Sequence, residues 1–363
     1  MTAPAGPRRT LWSVLLCALI GGPPALAADP VPEAAKRFGV PEAPRALLVR
    51  GTTDIALFQN VLTTFVTRHA DLQITYEQWA SNDLYTVSAA ECAAGGAAAD
   101  MVISSAVDQQ VRLVNDGCAR PHRSQLTDWL PDAANWRNEL FGITREPAVM
   151  VYNRDLVPAS EAPRSRFDLI DLLRPADSRY AGRVATYDIE ASGLGYLFAF
   201  MDSQQATTFG SLIEAFDRAG AVATCCSAEI IDGVVSGRYL VAYNVLGSYA
   251  LARATEAPNL AVVAPEDYTL VLARAALIPR GARNPQAAGE FLDFLLSDAG
   301  RAAMIEARLI VDLADADTSA LHFSAPTGAV LRQIPLSPVL LVGLDRQKRG
   351  LFLDLWRNTF ANR

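Results

Sequence analysis

Hydroxyl and amide side chains gather at five points where a predicted buried strand is followed by a predicted helix. These residues are Thr52 and Thr53, Ser104 and Ser105, Tyr187 with Ser192, Thr224 with Ser227, and Tyr243 with Asn244. The first N–H groups of a helix lack partners within the helix and lie at the positive end of its dipole, so they favour anions. The pattern predicts a polar cleft for an oxygen-rich solute. Helix caps and turns without a ligand would use the same residue types, and that alternative stays open.

The longest of these stretches is Arg183–Phe200, with the sequence RVATYDIEASGLGYLFAF. Val184–Thr186 is typical of the end of a buried strand, and Ser192 is suited to cap the helix that follows. Such a connection either holds an anion at the helix start or is an ordinary connection without a ligand. The four companion stretches favour the first interpretation, with Ser192 and the backbone after it as the expected contacts.

Motifs of enzymes are not matched by this sequence. A nucleophile elbow needs glycine two positions on either side of the serine, where Ser192 has Glu190 and Leu194. Gly193–Gly195 begins like a dinucleotide fingerprint, but Phe198 occupies the place of the third glycine. The three histidines are far apart and lack the spacing of a metal site. We therefore expect no catalytic residue, no cofactor and no metal ligand.

The predicted elements that position these loops alternate between strand and helix, which indicates an α/β fold with parallel-rich sheets. Two extended segments, at 141–153 and 268–278, are candidate crossings between two lobes. The expected division is a signal peptide over residues 1–27, a first lobe formed by residues 28–143 with 270–363, and a second lobe formed by residues 144–269. Ligands of such sheets bind beyond the strand ends, so two facing lobes would form a cleft.

Length and composition are typical of a globular chain with two domains, since 51% of the 363 residues are hydrophobic and 20% are charged. The net charge of −7 argues against a nucleic-acid-binding surface. Residues 1–27 combine Arg8-Arg9, an apolar run over Leu11–Ile20 and the cleavage pattern Ala25-Leu26-Ala27, as in a secretory signal peptide. We therefore expect export to the periplasm.

Four cysteines follow the predicted signal peptide, and an even number in an exported chain allows disulfides. Cys92 and Cys118 are the easiest pair to join. Cys225 and Cys226 are adjacent, and a bridge between neighbours is strained, so their state stays open.

Several segments together resemble periplasmic solute-binding proteins of ABC transporters. They are LLVRGTTD, DMVISSAVD, REPAVMVYN, GRVATYDIEASGLGYLFA, GRYLVAYNVLGSYALAR and NPQAAGEFLDFLLSDAGRAAM. The sequence is similar to the type II branch, which includes ferric-iron-binding, hexose-phosphate-binding and phosphoglycerate-type binding proteins. The resemblance extends over Leu47 to Phe360, nearly all of the chain after the predicted signal peptide.

The resemblance implies two lobes joined by two crossing strands, which close as a hinge on a solute. By analogy with the phosphate-ester binders, the residues lining the cleft would be Thr52, Thr53, Ser104, Ser105, Tyr187, Ser192, Ser227, Tyr243 and Asn244. Arg145, in the first crossing, would be the charged partner of the solute. Iron-binding members use adjacent tyrosines, whereas Tyr243 and Tyr249 are separated here, which disfavours ferric binding.

The expected function is that of a monomeric periplasmic receptor for a small anionic organic solute, a phosphate ester or a carboxylate. Hinge closure on the solute would present the closed form to an inner-membrane ABC permease. An alternative is an accessory protein that presents the closed form to a membrane sensor kinase. A secreted hydrolase is the third possibility and lacks a catalytic motif in the sequence.

Overall fold

A computed structural model describes residues 1–2, 30–205, 207–311, 323–324 and 330–360. The predicted signal peptide at 1–27 lies, after its first two residues, outside the described part of the chain. No helix among the described residues is long and apolar enough to cross a membrane.

The strands, numbered in chain order, form two separate sheets. They are β1 (Ala34–Phe38), β2 (Arg45–Gly51), β3 (Leu72–Gln78), β4 (Met101–Ser104), β5 (Asn135–Trp136), β6 (Leu140–Gly142), β7 (Glu146–Asn153), β8 (Val184–Tyr187), β9 (Val222–Thr224), β10 (Val241–Leu246), β11 (Leu260–Val263), β12 (Thr269–Leu272), β13 (Ala275–Leu277), β14 (Phe323–Ser324) and β15 (Leu331–Gln333). The first sheet has the order β1-β3-β2-β4-β13-β6-β5. The second has the order β14-β11-β7-β10-β8-β9, with β12 pairing β7 and β15.

The helices cover the faces and the ends of these sheets. They are α1 (Ile55–Arg68), α2 (Ser81–Ala93), α3 (Val107–Asn115), α4 (Gln125–Asp128), α5 (Arg166–Leu172), α6 (Gly193–Gln205), α7 (Thr208–Ala219), α8 (Ser227–Val235), α9 (Gly247–Ala254), α10 (Pro285–Leu296), α11 (Asp298–Glu306) and α12 (Arg346–Phe360). Strands followed by helices give the α/β fold class that the sequence predicts.

Parallel pairing places several strand ends at one edge of each sheet. In the first sheet β2 runs parallel to β3 and β4. In the second, β8 runs parallel to β9 and β10. The carboxyl ends of β2, β3, β4, β8 and β9 therefore deliver the polar loops to the region between the sheets.

The chain passes between the two sheets at two short crossings and returns once more to the second sheet after α11. The first joins β6 to β7 through residues 143–145, and the second joins β12 to β13 through residues 273–274. This is the two-lobe arrangement with two crossing strands that the sequence predicts. β7 runs antiparallel to β10 and β11, and β13 runs antiparallel to β4, so the sheets are mixed rather than parallel throughout.

The end of the chain lies with the second sheet, which differs from the predicted division. Residues 270–363 were assigned to the first lobe, but α12 packs on α7, and Leu353 and Trp356 belong to a buried cluster with Phe209 and Phe216. β14 and β15 likewise pair with β11 and β12. β13, α10 and α11 of this stretch join the first sheet and α1, and the 3₁₀ helix Pro338–Val342 packs on α3. The physical reason is the apolar face of α12, which the helices of the second lobe bury.

Both cysteine pairs are joined as disulfides. Cys92 and Cys118 have Cα atoms 5.4 Å apart, within the usual range, and connect the end of α2 to the chain after α3. Cys225 and Cys226 are bonded to each other between β9 and α8.

Asp108, in the first turn of α3, is buried with no hydrogen-bond partner for Oδ1. Burial raises the pKa of this carboxyl to about 7. Above pH 7 the folded chain must hold a buried carboxylate, whereas the unfolded chain holds a solvated one. The free-energy cost of burying this carboxylate disappears as the pH falls from about 7 towards the unfolded pKa near 4. Over that range the free energy of unfolding rises by roughly 4 kcal/mol.

We therefore expect Asp108→Asn to raise the free energy of unfolding at pH 8 and to remove most of this pH dependence. Urea unfolding of both proteins from pH 5 to 8 measures the difference. The control is Asp116→Asn, which removes an exposed carboxylate paired with Arg112 just after α3. Its pH profile should follow that of the wild type. A wild-type profile parallel to that of Asp108→Asn would contradict the prediction.

Candidate functional site

A cavity of about 310 Å³ lies between the two sheets and is lined by residues of both. The first lobe supplies the ends of β2 and β3, the start of α2 and the loop after β4. The second lobe supplies the starts of α6 and α8 and the end of β10. Arg274, in the second crossing, also lines the cavity. The volume suits a small molecule rather than a macromolecule.

Five of the ten predicted site residues line this cavity: Thr52, Ser105, Tyr187, Ser192 and Ser227. The two of the first lobe, Thr52 and Ser105, are hydrogen-bonded to each other. Their hydroxyl oxygens lie 3.2 Å apart, and the Ser105 N–H donates to Thr52 Oγ1 at 3.0 Å. In the second lobe the hydroxyls of Tyr187 and Ser227 share a hydrogen bond. The polar wall is therefore pre-formed by contacts within each lobe.

Thr53 and Ser104, also predicted as site residues, do not line the cavity. The Thr53 carbonyl accepts the hydroxyl of Tyr76 at 2.7 Å, and the Ser104 hydroxyl accepts the N–H of Ala106 at 3.1 Å. Both side chains are buried. Successive residues of an extended chain project to opposite sides, so one member of each polar pair reaches the cavity and the other does not.

Tyr243 and Asn244 also lie outside the cavity, in a buried network beneath it. Both side chains donate to Asp202 Oδ2, with Asn244 Nδ2 at 2.9 Å. Arg166 donates to Asp202 Oδ1 at 2.9 Å. Asn244 has a φ of 64°, and the register of β10 against β7 shifts around it. This irregularity of β10 turns the pair towards the interior of the second lobe, where Asp202 binds it.

Arg145 is not the charged residue of the cavity. Its backbone N–H donates to the Leu309 carbonyl at 3.0 Å, and its guanidinium donates to the Val311 carbonyl at 3.4 Å. The cationic residue that lines the cavity is Arg274, in the other crossing. Arg274 is not among the predicted site residues, although it lies in the predicted second crossing. The signal that could have found it is an arginine within an otherwise apolar extended segment.

Arg274 is 1% exposed and forms a salt bridge with Glu146, which is fully buried. Its Nε lies 2.8 Å from Glu146 Oε1, and its Nη1 lies 3.4 Å from Thr52 Oγ1. Burial lowers the pKa of the guanidinium, but the charge of Glu146 outweighs it and holds the pKa above its ordinary value. Thr144 and Ser248 donate to the same carboxylate. The Arg274–Glu146 pair thus links the second crossing to the start of β7, which follows the first crossing, and Arg274 also reaches Thr52 in the wall of the cavity.

Three helices begin at the cavity: α2 at Ser81, α6 just after Ser192, and α8 at Ser227. The Gly193 N–H donates to Ser81 Oγ at 2.9 Å, and the Gly195 N–H donates to Ser192 Oγ at 3.0 Å. Each helix has nine or more residues, so its dipole is developed at the cavity. The converging N-termini place positive partial charge at the cavity, which Glu33, Asp54 and Glu229 also line.

Acidic side chains also reach this region, and one of them connects the lobes. The Asp54 carboxylate, in the first lobe, accepts the hydroxyl of Tyr249, in the second, at 2.8 Å. Burial raises the pKa of Tyr249 well above its ordinary value, so the phenol stays a donor. Among the described residues no group of three His, Cys, Asp or Glu side chains could hold a metal ion.

The lobes are also in direct contact beside the cavity. Asn82 Nδ2 donates to the carbonyls of Glu190 at 2.9 Å and Ala191 at 3.0 Å, and Gln109 Nε2 donates to Asn82 Oδ1 at 2.8 Å. Together with the bond from Gly193 to Ser81, these contacts hold α6 against α2 and α3. The structure is therefore that of a closed cleft.

Ser192→Ala removes the hydroxyl that accepts the Gly195 N–H at the start of α6. We expect the free energy of unfolding to fall by about 1 kcal/mol, the usual value of an N-cap. Thermal and urea unfolding measure it, with Ser203→Ala at the other end of α6 as control. That side chain donates to the Phe200 carbonyl within the helix and accepts from the neighbouring Gln204 side chain. Equal stability of Ser192→Ala and the wild type would contradict the role of Ser192 as a cap.

Two α/β lobes closed over a cavity, joined by the crossings at 143–145 and 273–274, define the fold of periplasmic binding proteins. Comparison with known proteins agrees, because residues 51–302 match the family model of the bacterial extracellular solute-binding proteins. The crystal structure of the substrate binding protein of an ABC transporter from Agrobacterium tumefaciens is 32% identical, with a TM-score of 0.83. The match covers 92% of this chain and 100% of that one. The chain belongs to the bacterial extracellular solute-binding protein family.

More distant solved structures share the fold. Iron-bound HitA from Pseudomonas aeruginosa is 17% identical with a TM-score of 0.65, over 87% of this chain and 99% of that one. The periplasmic binding protein AfuA from Actinobacillus pleuropneumoniae, with fructose-6-phosphate bound, is 18% identical with a TM-score of 0.68, over 88% of this chain and 100% of that one. No match is found among the curated proteins.

Proposed function

We propose that this protein is the receptor of an ABC importer and binds a small organic anion, a phosphate ester or a carboxylate, in the cavity between its lobes. The observation that carries the proposal is the convergence of the N-termini of α2, α6 and α8 on one cavity. The hydroxyls of Thr52, Ser105 and Ser227 supply neutral hydrogen bonds around them. Anions bind to such N-termini through backbone N–H groups.

Glu146 lies within hydrogen-bond distance of Arg274 and neutralises its charge. Arg274 therefore contributes a fixed hydrogen-bonding group to the cavity more than a net positive charge. The anion is therefore recognised mainly by dipoles and hydroxyls. Contacts within each lobe already orient the groups of that lobe, so hinge closure rather than local rearrangement brings the two sets together on the solute.

Ferric iron is the disfavoured alternative. Iron ligation would need phenolates, and the tyrosines that line the cavity are Tyr187 and Tyr249. Burial raises the pKa of Tyr187 to about 12 and raises the pKa of Tyr249 well above its ordinary value. Both hydroxyls are engaged, with Ser227 and Asp54 respectively. Deprotonating them would cost free energy that a metal would have to offset.

The remaining parts of the proposal concern export and domain organisation. Residues 1–27 direct export and are removed, so that the mature chain works in the periplasm. One lobe comprises residues 30–142 with 275–311, and the other comprises 146–272 with 323–324 and 330–360. The sheet order and the packing of α12 support this division. The solute binds a monomer, which closes about the two crossings.

The test uses mature protein, residues 28–363, unfolded in guanidinium, dialysed and refolded so that any bound solute is removed. Its thermal transition is measured with glucose 6-phosphate, 3-phosphoglycerate and citrate, each against a neutral or metal control: glucose, glycerol and ferric nitrilotriacetate. We expect at least one organic anion to raise the transition by several degrees, since binding to the folded state alone stabilises it. Calorimetry then gives the Kd. A shift with glucose or ferric ion, and none with the anions, would overturn the proposal.

A further inference from the structure

The disulfide between Cys225 and Cys226 lies in the wall of the cavity. Both residues line it, in the loop that joins β9 to α8. Cys226 immediately precedes α8, one of the three helices that begin at the cavity, and Ser227 follows it. The disulfide therefore comes immediately before, along the chain, the N–H groups of α8 that we assign to the anion. The other disulfide, Cys92–Cys118, does not line this cavity.

The wall around this disulfide has an apolar part that an inorganic anion would not use. Leu194 and Leu246 line it from the second lobe, and Trp79 lines it from the first. The Trp79 ring is fixed, because the Arg50 guanidinium lies 5.2 Å from its centroid and its indole N–H donates to Glu77 at 3.1 Å. A disulfide has no hydrogen-bond donor, and sulfur is polarizable and makes favourable contacts with aromatic rings. An apolar wall therefore adjoins the anion-binding helix ends.

We infer that the Cys225–Cys226 disulfide is a specificity-determining contact of the cleft. It and Trp79, which come from opposite lobes, hold an apolar ring of the solute, while the charged group of the same solute binds the N-termini of α2, α6 and α8. The ligand class is thus an organic anion that carries a ring, rather than a small hydrophilic anion. This inference rests on the proposed function, because it takes the anion site as given.

The contact depends on the oxidised state of the pair. A dithiol reductant donates two electrons and two protons to the bond: the S–S bond breaks, two cysteine thiols form, and the reductant becomes a cyclic disulfide. The wall then carries two S–H groups on side chains that rotate independently. Reduction should weaken binding of a ring-bearing anion and leave binding of a small anion nearly unchanged.

The experiment compares phenyl phosphate with glycerol 3-phosphate by calorimetry on emptied mature protein. We expect the wild type to bind phenyl phosphate more tightly, and Cys225→Ser/Cys226→Ser to lower this preference by up to about tenfold, the upper range of a sulfur–aromatic contact. The control Cys92→Ser/Cys118→Ser removes the other disulfide and should keep the wild-type preference. An unchanged preference in Cys225→Ser/Cys226→Ser, or an equal loss for both probes, would overturn the inference.

A second measurement needs no variant. Wild-type protein is treated with dithiothreitol and iodoacetamide, with and without phenyl phosphate, and alkylation of each cysteine pair is followed by mass spectrometry. Phenyl phosphate should slow alkylation at Cys225 and Cys226 more than glycerol 3-phosphate does at equal saturation. Alkylation at Cys92 and Cys118 serves as the internal reference. Equal protection by the two probes would count against the ring contact.

The two proposals fail differently. If glycerol 3-phosphate and the other anions bind but the ring gives no advantage, the inference is wrong and the proposed function stands. If no organic anion binds the wild type, both are wrong.

Discussion

Replacement of Arg274 by methionine is expected to lower the free energy of unfolding by about 3–5 kcal/mol, because it leaves a buried carboxylate without its counter-ion. Glu146 is fully buried, and Arg274 is its only cationic partner among the described residues. Thr144 and Ser248 still donate to the carboxylate, but neutral donors do not replace a charge in a medium of low polarity.

Chemical denaturation of the wild type, Arg274→Met and Arg274→Met/Glu146→Gln measures the effect. We expect the double variant to be more stable than Arg274→Met, because a neutral amide tolerates burial better than an unpaired carboxylate. Arg45→Met is the matched control, since Arg45 forms partly exposed pairs with Asp71 and Glu290. Arg45→Met should lower the free energy of unfolding by no more than about 1 kcal/mol. An Arg274→Met variant as stable as Arg45→Met would contradict the prediction.

The same substitution bears on binding. Arg274 lies within 3.4 Å of Thr52 Oγ1, and Thr52 in turn accepts the Ser105 N–H. Loss of the guanidinium therefore loosens the hydroxyl wall of the first lobe. Arg274→Lys keeps a positive charge but lacks the two-nitrogen contact to Glu146. It therefore distinguishes the effect of the charge from the effect of the hydrogen-bond geometry.

Sequence patterns do not show on which side of the chain each polar residue lies. Strand-to-helix connections could be recognised from residue types, and they do surround one cavity. At the two polar pairs of the first lobe, however, only Thr52 and Ser105 reach it, and Thr53 and Ser104 do not. Which member faces inward depends on the pleat at the last residue of the strand, and a single residue of register reverses it.

The placement of Asn244 and Arg274 could not be read from local sequence. Asn244 adopts a positive φ where β10 shifts register, and its side chain donates to Asp202, forty-two residues earlier. Arg274 faces the cavity because Glu146, which is distant in sequence, pairs with it across the crossings. Contacts of this kind appear only when the chain is folded. The same holds for α12, whose apolar face predicts burial without indicating which lobe provides the partner.

Gly193 is the residue at which the closed cleft can be tested most directly. A Cβ atom at this position would lie 2.6 Å from Gln109 Nε2 and 3.0 Å from Asn82 Oδ1, both in the opposite lobe. Real Cβ contacts are longer than this. Alanine would displace the Gln109 amide, and leucine would force α6 away from α2 and α3. Because Asn82 and Gln109 belong to the opposite lobe, we expect neither substitution to meet them in an open form.

We expect Gly193→Leu to weaken binding of the anion found by the thermal assay by at least about tenfold, or about 1.4 kcal/mol, because closure no longer completes the site. The unliganded variant should unfold no more easily than the wild type, since leucine favours a helix over glycine. Small-angle X-ray scattering should show that the ligand compacts the wild type and not the variant.

Gly210→Ala is the matched control. It adds a Cβ to another helical glycine of the second lobe, and no atom lies within 4 Å of that position. It should bind and close like the wild type, so that any loss in Gly193→Leu belongs to the contact between the lobes and not to the loss of a glycine. Full affinity and ligand-induced compaction in Gly193→Leu would show that the contacts of Asn82 and Gln109 are not part of the ligand-bound state, and the closed cleft would then have to form through a different pairing of the lobes.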